Sequence, residues 1–257
     1  MALAVTFEPY RPVVLLHAFP LNRTMWSPQV ETLEAAGFSP LAPDLPGFGE
    51  SRAVRAQSLD GFAAAVLETL DRYGIRRAAF VGLSMGGYVL FRIWERAPER
   101  VLALVLADTR AEPDAPEARE RRLLQASQVE AQGPAAIADG FVQGALGATT
   151  HRARAGVTLR VRDLVLGAPR EGVVQALHAL AGRPDSRPLL PGIRVPTLIL
   201  VGDEDTLTPP DASRAMAAAI PGSVLKVLPG AGHLANLEDP GAFNGALLDF
   251  LGTVRWH

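Results

Sequence analysis

Apolar positions fall in blocks along this chain rather than alternating residue by residue. Val13–Leu16, Phe38–Ala42, Ala78–Gly82, Val101–Ala107, Thr197–Val201 and Val224–Leu228 are short, nearly continuous apolar runs. Runs of this length bounded by breakers predict strands buried on both faces, the pattern of a parallel sheet. Between them the apolar spacing lengthens to three and four, which predicts helices over Trp26–Ala36, Leu59–Tyr73 and Met85–Ala97. Gly37 and Gly74 close the first two. Asp211–Ala219 and Phe243–Leu251 read as the last two helices. Strands alternating with helices imply an α/β fold, with a mostly parallel central sheet flanked by helices.

The rhythm breaks between Glu112 and Leu190, where no run of the buried-strand type occurs. Ala115–Gln132, Ala135–Leu146, Arg152–Leu166 and Gly172–Ala181 read as helices separated by Gly and Pro. The expected organisation is one α/β core from residues 1–111 and 191–257, with residues 112–190 inserted between two strands as a helical cap.

Composition narrows the function classes. The 257 residues are 48% hydrophobic, enough for one large α/β domain. A formal net charge of −2 gives no global basic field, so neither nucleic acid nor an anionic membrane is an expected partner. Lys226 is the single lysine, so nearly every cation is an arginine. The absence of cysteine removes disulfides, a thiolate nucleophile and Cys-based metal sites. No metal or organic cofactor is expected. Met1–Glu8 has no basic n-region, and no apolar run reaches the roughly 18 residues of a membrane span. A cytoplasmic monomer or homodimer is the expectation.

Candidate chemistry collects behind the strands: His17, Asp44, Ser84, Asp108, Asp205 and His233 all follow predicted strands. Ligands of open parallel sheets bind at those C-terminal strand ends. Gly82-Leu83-Ser84-Met85-Gly86 is a Gly-x-Ser-x-Gly pattern between a strand and a helix, the context that turns serine into a nucleophile elbow. Gly82 and Gly86 let strand and helix pass closely, and the helix N-terminus favours a developing oxyanion. Serine needs a positioned base, and His233, in the glycine-rich loop Pro229–Leu234, is the candidate. A carboxylate must fix that histidine. Asp205 is the choice, with Asp203 and Asp108 as alternates. Glu204 is expected to face solvent, Asp108 to pair with Arg110 or anchor the insertion, and His17 to hold its loop through backbone hydrogen bonds. Oxyanion donors are expected from the backbone N–H groups of Met85 and Phe19, since Pro20 has none.

His17-Ala18-Phe19-Pro20, Asp44-Leu45-Pro46-Gly47-Phe48-Gly49-Glu50-Ser51, Gly82–Gly87, Gly202-Asp203-Glu204-Asp205 and Gly232-His233 occur in this order. Together they resemble the α/β-hydrolase fold superfamily, from about Val13 to Leu251. Within it the chain is similar to bacterial carboxylesterases and their enol-lactonase-like relatives, a likeness shared by Ala107–Asp114 and Arg183–Ser186. The resemblance implies Ser84 as nucleophile, Asp205 as acid and His233 as base. Two departures stand out: Ala18 replaces a glycine common at that position, and the usual N-terminal strands must be trimmed. The implied function is a serine hydrolase acting on a small-molecule carboxylic ester. Leu21, Phe141, Leu146, Leu207 and Leu234 are pocket candidates. With no basic cluster in the core loops, the expected substrate is a neutral short- to medium-chain ester. Alternatives are a 3-oxoadipate enol-lactonase-like or C–C bond hydrolase, whose substrate carboxylate Arg110 or cap arginines would hold, and a non-catalytic ligand-binding protein of the same fold.

Overall fold

The structure, a computed structural model, describes residues 10–256. Met1–Glu8, read above for a signal peptide, lies outside the described residues. The longest apolar runs become the middle of one sheet. These are β1 (Pro12–Leu16), β3 (Ala78–Leu83), β4 (Val101–Ala107) and β5 (Thr197–Gly202), and nearly every residue in them is buried. β2 (Ser39–Leu41) and β6 (Val224–Leu228) are the half-covered edges. Pro40 is tolerated in β2 because an edge strand needs fewer ladder donors. The order is β2-β1-β3-β4-β5-β6, and every pair is parallel.

Helices return the chain between strands. They are α1 (Ser27–Ala35), α2 (Leu59–Arg72), α3 (Met85–Arg96), α9 (Pro210–Ala219), α10 (Ala235–Glu238) and α11 (Pro240–Leu251). In α2 the Ser58 hydroxyl caps Gly61 N–H, and Leu59, Phe62, Ala63, Val66 and Leu70 form one buried stripe. Right-handed crossovers place α2, α3 and α9 on one face and α1 with α11 on the other. The contacts agree: α2 packs on α3, α9 on β5 and β6, and α1 on α11. The connections leave β1 and β3 in opposite directions, so a crevice opens between the loops behind these two strands.

Five α-helices and a short 3-10 helix (Arg187–Gly192) separate β4 from β5: the α-helices are α4 (Pro116–Gln132), α5 (Ala135–Ala145), α6 (Ala148–Ala153), α7 (Ala155–Leu166) and α8 (Arg170–Ala181). The helix expected over Arg152–Leu166 is two, broken at Arg154 (φ −128°, ψ 53°), whose guanidinium donates to the Gly230 carbonyl at 3.2 Å. No glycine or proline marks that break, because a tertiary contact makes it. α11 starts three residues before the expected Phe243, at Pro240. Asp239 caps it by accepting from Ala242 N–H at 3.0 Å.

α3 passes close to the sheet. A Cβ on Gly86 would overlap the Leu16 carbonyl oxygen of β1, whereas a Cβ on exposed Gly245 of α11 would meet nothing within 4 Å. Gly86→Ala is therefore expected to cost about 1–3 kcal/mol in urea unfolding. Gly245→Ala should add roughly 0.5–1 kcal/mol. Equal responses would contradict this packing.

Candidate active site

β3 ends in a reversal that puts Ser84 at φ 54° and ψ −112°, a left-handed conformation that non-glycine residues rarely adopt. Its N–H donates to the Ala107 carbonyl of β4 at 2.9 Å. Its carbonyl accepts from Tyr88 N–H at 3.2 Å and from the Thr109 hydroxyl at 2.9 Å. The side chain is thereby held out over the C-terminal edge of the sheet.

His233 lies 149 residues further on, yet its Nε2 is 2.8 Å from Ser84 Oγ. Its Nδ1 is 2.9 Å from Asp205 Oδ2. An ionised carboxylate only accepts, so Nδ1 carries the hydrogen and Nε2 is left to accept the Ser84 proton. Asp205 is itself fully engaged. Oδ1 accepts from the N–H groups of Leu207 (2.8 Å) and Thr208 (2.9 Å), and Oδ2 also accepts from the Thr208 hydroxyl at 2.6 Å. Burial opposes ionisation of Asp205, but the imidazole and these donors outweigh it and hold its pKa below the ordinary value. Sequence reasoning missed Thr208. The signal was present in the Asp-x-x-Thr spacing, which lets a hydroxyl fold back onto the carboxylate.

Asp203, the alternate acid, is exposed and accepts from Gly230 N–H at 2.7 Å. Asp108, the other alternate, does not reach His233. Its Oδ1 accepts from Gly202 N–H at 2.9 Å, extending the β4–β5 ladder by one side chain. Nor does it pair with Arg110, whose guanidinium goes to Asp114. Burial, then the nearby charge of Asp205, pushes the Asp108 pKa well above the ordinary value.

The loop behind β1 faces Ser84 across the crevice. His17 Nδ1 donates to the Ala18 carbonyl at 3.0 Å, and Nε2 accepts from Leu45 N–H at 2.9 Å. Complete burial lowers its pKa to about 4 despite that hydrogen bond and nearby Asp44. The ring is thus a neutral strut between two loops. Ala18 is fully buried, and its N–H points at Met25 Sδ, 3.2 Å away. The Phe19 side chain lines the cavity over Ser84, and the Phe19–Pro20 peptide is cis. Met85 is the first residue of α3, so its N–H has no acceptor within the helix.

A cavity of about 630 Å³ lies over Ser84 and His233. The core contributes Phe19, Tyr88 and Thr206–Pro209, and α4, α5 and α8 of the helical insertion close it. Of the five pocket candidates, Phe141 and Leu207 line it. Leu21, Leu146 and Leu234 instead pack into the hydrophobic core, because their loops turn inward behind the polar residues they carry. The expectation of a mostly apolar wall also needs correcting. Arg110, Arg121, Arg122 and Asp114 line the cavity beside Ile137 and Phe141. The core loops do lack a basic cluster, but the entrance to α4 supplies one.

Glu204, expected to face solvent, is partly exposed and also makes a contact that sequence reasoning missed. Its carboxylate accepts from Thr149 N–H (2.7 Å) and the Thr149 hydroxyl (2.6 Å), which ties the insertion to the Asp205 loop. Buried Glu238, unnoticed in the sequence, accepts from Gly147 N–H at 2.8 Å and Leu234 N–H at 3.0 Å. His233 N–H donates to the Ala145 carbonyl at 2.8 Å. A Cβ on Gly232 would strike the Leu146–Gly147 backbone, so the histidine loop and the insertion cross at touching distance.

Comparison with known proteins places the chain in a family. The alpha/beta hydrolase fold profile matches residues 11–240, and the chain belongs to that family. It is similar to a thermophilic esterase from Thermogutta terrifontis, solved with malate bound, at 40% identity and a TM-score of 0.91 over 94% of this chain and 89% of that one. It is also similar to an enol-lactonase from Burkholderia xenovorans LB400, at 31% identity and a TM-score of 0.87 over 95% of this chain and 92% of that one. A 2-hydroxy-6-oxononadienedioate/2-hydroxy-6-oxononatrienedioate hydrolase from a Pseudomonas species is 30% identical, covering 93% of this chain and 87% of that protein.

The raised Asp108 pKa sets a sign for stability. The native state favours the protonated acid, so that contribution is full below the ordinary carboxylate pKa and is lost as pH rises through the raised folded one. Asparagine is neutral, keeps an acceptor for Gly202 N–H, and suits the φ of 42° at position 108. Asp108→Asn should therefore melt at or above the parent temperature at pH 8, with the advantage shrinking toward pH 4. A large loss at pH 8 would show that the carboxylate form is required.

Proposed function

We propose that the protein is a serine hydrolase that cleaves carboxylic esters through an acyl-enzyme. The carrying observation is the unbroken Ser84–His233–Asp205 chain, at 2.8 and 2.9 Å, with Ser84 held in a strained turn at the sheet edge. His233 Nε2 removes the Ser84 proton as Oγ attacks the ester carbonyl. Asp205 keeps the hydrogen on Nδ1 and stabilises the imidazolium. The N–H groups of Met85 and Phe19 receive the oxyanion; among the described residues Phe19 N–H has no other acceptor. His233 then protonates the leaving alcohol. A water attacks the acyl-enzyme by the same route and releases the acid. The helical insertion acts as the cap, which shields the acyl-enzyme and shapes the acyl pocket. Opening a lactone is the same acyl transfer with the alcohol left tethered.

A p-nitrophenyl butyrate assay with the parent, Ser84→Ala and Asp205→Asn tests this reading. Ser84→Ala should lose more than about 10⁴-fold in kcat, with the fold intact by circular dichroism. Asp205→Asn should lose about 10⁴-fold, since the amide favours the wrong imidazole tautomer. A fluorophosphonate should label the parent at Ser84 only. Turnover that survives Ser84→Ala would rule out the mechanism.

A further inference from the structure

We infer that the cavity takes an ester whose acyl part carries a second, free carboxylate, and that Arg121 and Arg110 receive that group. This rests on the ester-hydrolase reading of Ser84, and it replaces the neutral substrate expected from the core loops.

The argument begins with an imbalance of charge. Arg110, Arg121 and Arg122 line the cavity against a single lining carboxylate, Asp114. A fourth arginine, Arg183, stands behind the wall with its side chain 2% exposed, and its guanidinium lies 4.4 Å above the Tyr88 ring. Asp114 is already saturated. Oδ1 pairs with Arg110 (3.2 Å) and Arg183 (2.7 Å), and Oδ2 with Arg122. Burial works against its ionisation, but Arg122, Arg183 and Arg110 hold its pKa below the ordinary value, so it stays a carboxylate. One negative charge thus immobilises three positive ones and cannot neutralise them.

Arg121 is the available cation. It immediately precedes Arg122 on α4, is an exposed residue that lines the cavity, and has no ion-pair partner among the described residues. Arg110 adds a buried Nε–H that finds no acceptor. Guanidinium forks bind carboxylates in a planar, two-point fashion. Ile137, Phe141 and Leu180 furnish apolar wall in the same cavity as this cationic patch and Ser84. A short methylene spacer with a carboxylate at one end and an ester carbonyl at the other matches that arrangement. The anion belongs on the acyl side because the acyl group stays in the cavity through both half-reactions. A contact there holds the carbonyl in place for attack by Ser84 and then by water.

The test compares matched pairs that differ only in the terminal group: the monomethyl esters of succinate, glutarate and adipate against methyl butanoate, pentanoate and hexanoate. For at least one pair the parent should show a kcat/KM ratio of about tenfold or more in favour of the anion. The ratio should shrink in high salt. Arg121→Ala should collapse it, chiefly through KM, and Arg121→Lys should restore part of it. A merely structural role for Arg121 would lower both members of a pair together and leave the ratio unchanged. Calorimetry of glutarate with Ser84→Ala, and with Ser84→Ala carrying Arg121→Ala, reads the anion site without turnover. Arg121-dependent glutarate binding by a protein that hydrolyses no ester would keep the carboxylate site and discard the hydrolase reading. Ester turnover with no anion preference in any pair, and no glutarate binding, would overturn the carboxylate site and keep the hydrolase.

Discussion

A strained backbone at Ser84 is the constraint around which the rest of the structure is arranged. A φ of 54° on a serine costs about 1–3 kcal/mol and persists only where the surroundings over-determine it. Here they do so from three directions. Ser84 N–H is held by β4, and its carbonyl is held both by the first turn of α3 and by Thr109. Gly82 and Gly86 let α3 descend until it touches the Leu16 carbonyl of β1. A side chain at either glycine would push the helix off the sheet and give the turn room to relax. The paired strands β1, β3 and β4 therefore set the position of one hydroxyl oxygen. The same closeness brings the loop behind β1 opposite the N-terminus of α3, where the proposed oxyanion donors stand.

Burial of charge is the second demand of the site. Asp205 is kept ionised by two backbone N–H groups, a hydroxyl and the imidazole. Asp108 lies close enough to feel its charge and is pushed the other way. Two carboxyl groups in one buried region are thus shifted in opposite directions, Asp205 below and Asp108 above the ordinary value, because only Asp205 has the imidazole and several donors on its oxygens. Glu238 bridges Gly147 of the insertion and Leu234 beside the histidine, and Glu204 accepts from Thr149 of the insertion. With the His233 N–H bond to Ala145, these contacts couple the helical insertion to the two loops that carry His233 and Asp205. The end of α5 and the start of α6 therefore touch the His233 loop directly.

The strands and most helices were legible in the sequence because burial on both faces leaves continuous apolar runs such as Val13–Leu16 and Thr197–Val201, and these need no tertiary information. Ser84, Asp205 and His233 were legible because a strand, a glycine and a polar residue recur together at the sheet edge. Contacts decided by distant segments were hidden. The break at Arg154 depends on the Gly230 carbonyl, and the role of Glu204 depends on Thr149, 55 residues away. Leu21, Leu146 and Leu234 show the limit from the other side. An apolar residue next to a functional one tells that the neighbourhood is buried, not whether it faces the cavity or the core.

The cavity wall carries that limit into function. Arg110, Arg121, Arg122 and Arg183 are spread over more than seventy positions, in a chain whose formal net charge is −2, so neither composition nor local spacing marks them as a cluster. Asp114 gathers Arg110, Arg122 and Arg183, and Arg121 is the chain neighbour of Arg122 on α4. The Asp114 side chain is 1% exposed, and a carboxylate taken so far out of water demands close cations. Meeting that demand with three guanidiniums stabilises the junction between β4 and the insertion, and it leaves the wall with surplus positive charge. In a partly enclosed cavity that charge is screened less than it would be on an open surface. An electrostatic arrangement that anchors the insertion therefore also sets the sign of charge on the cavity wall, and on the proposed reading substrate selection is built into the way the insertion is fastened to the core.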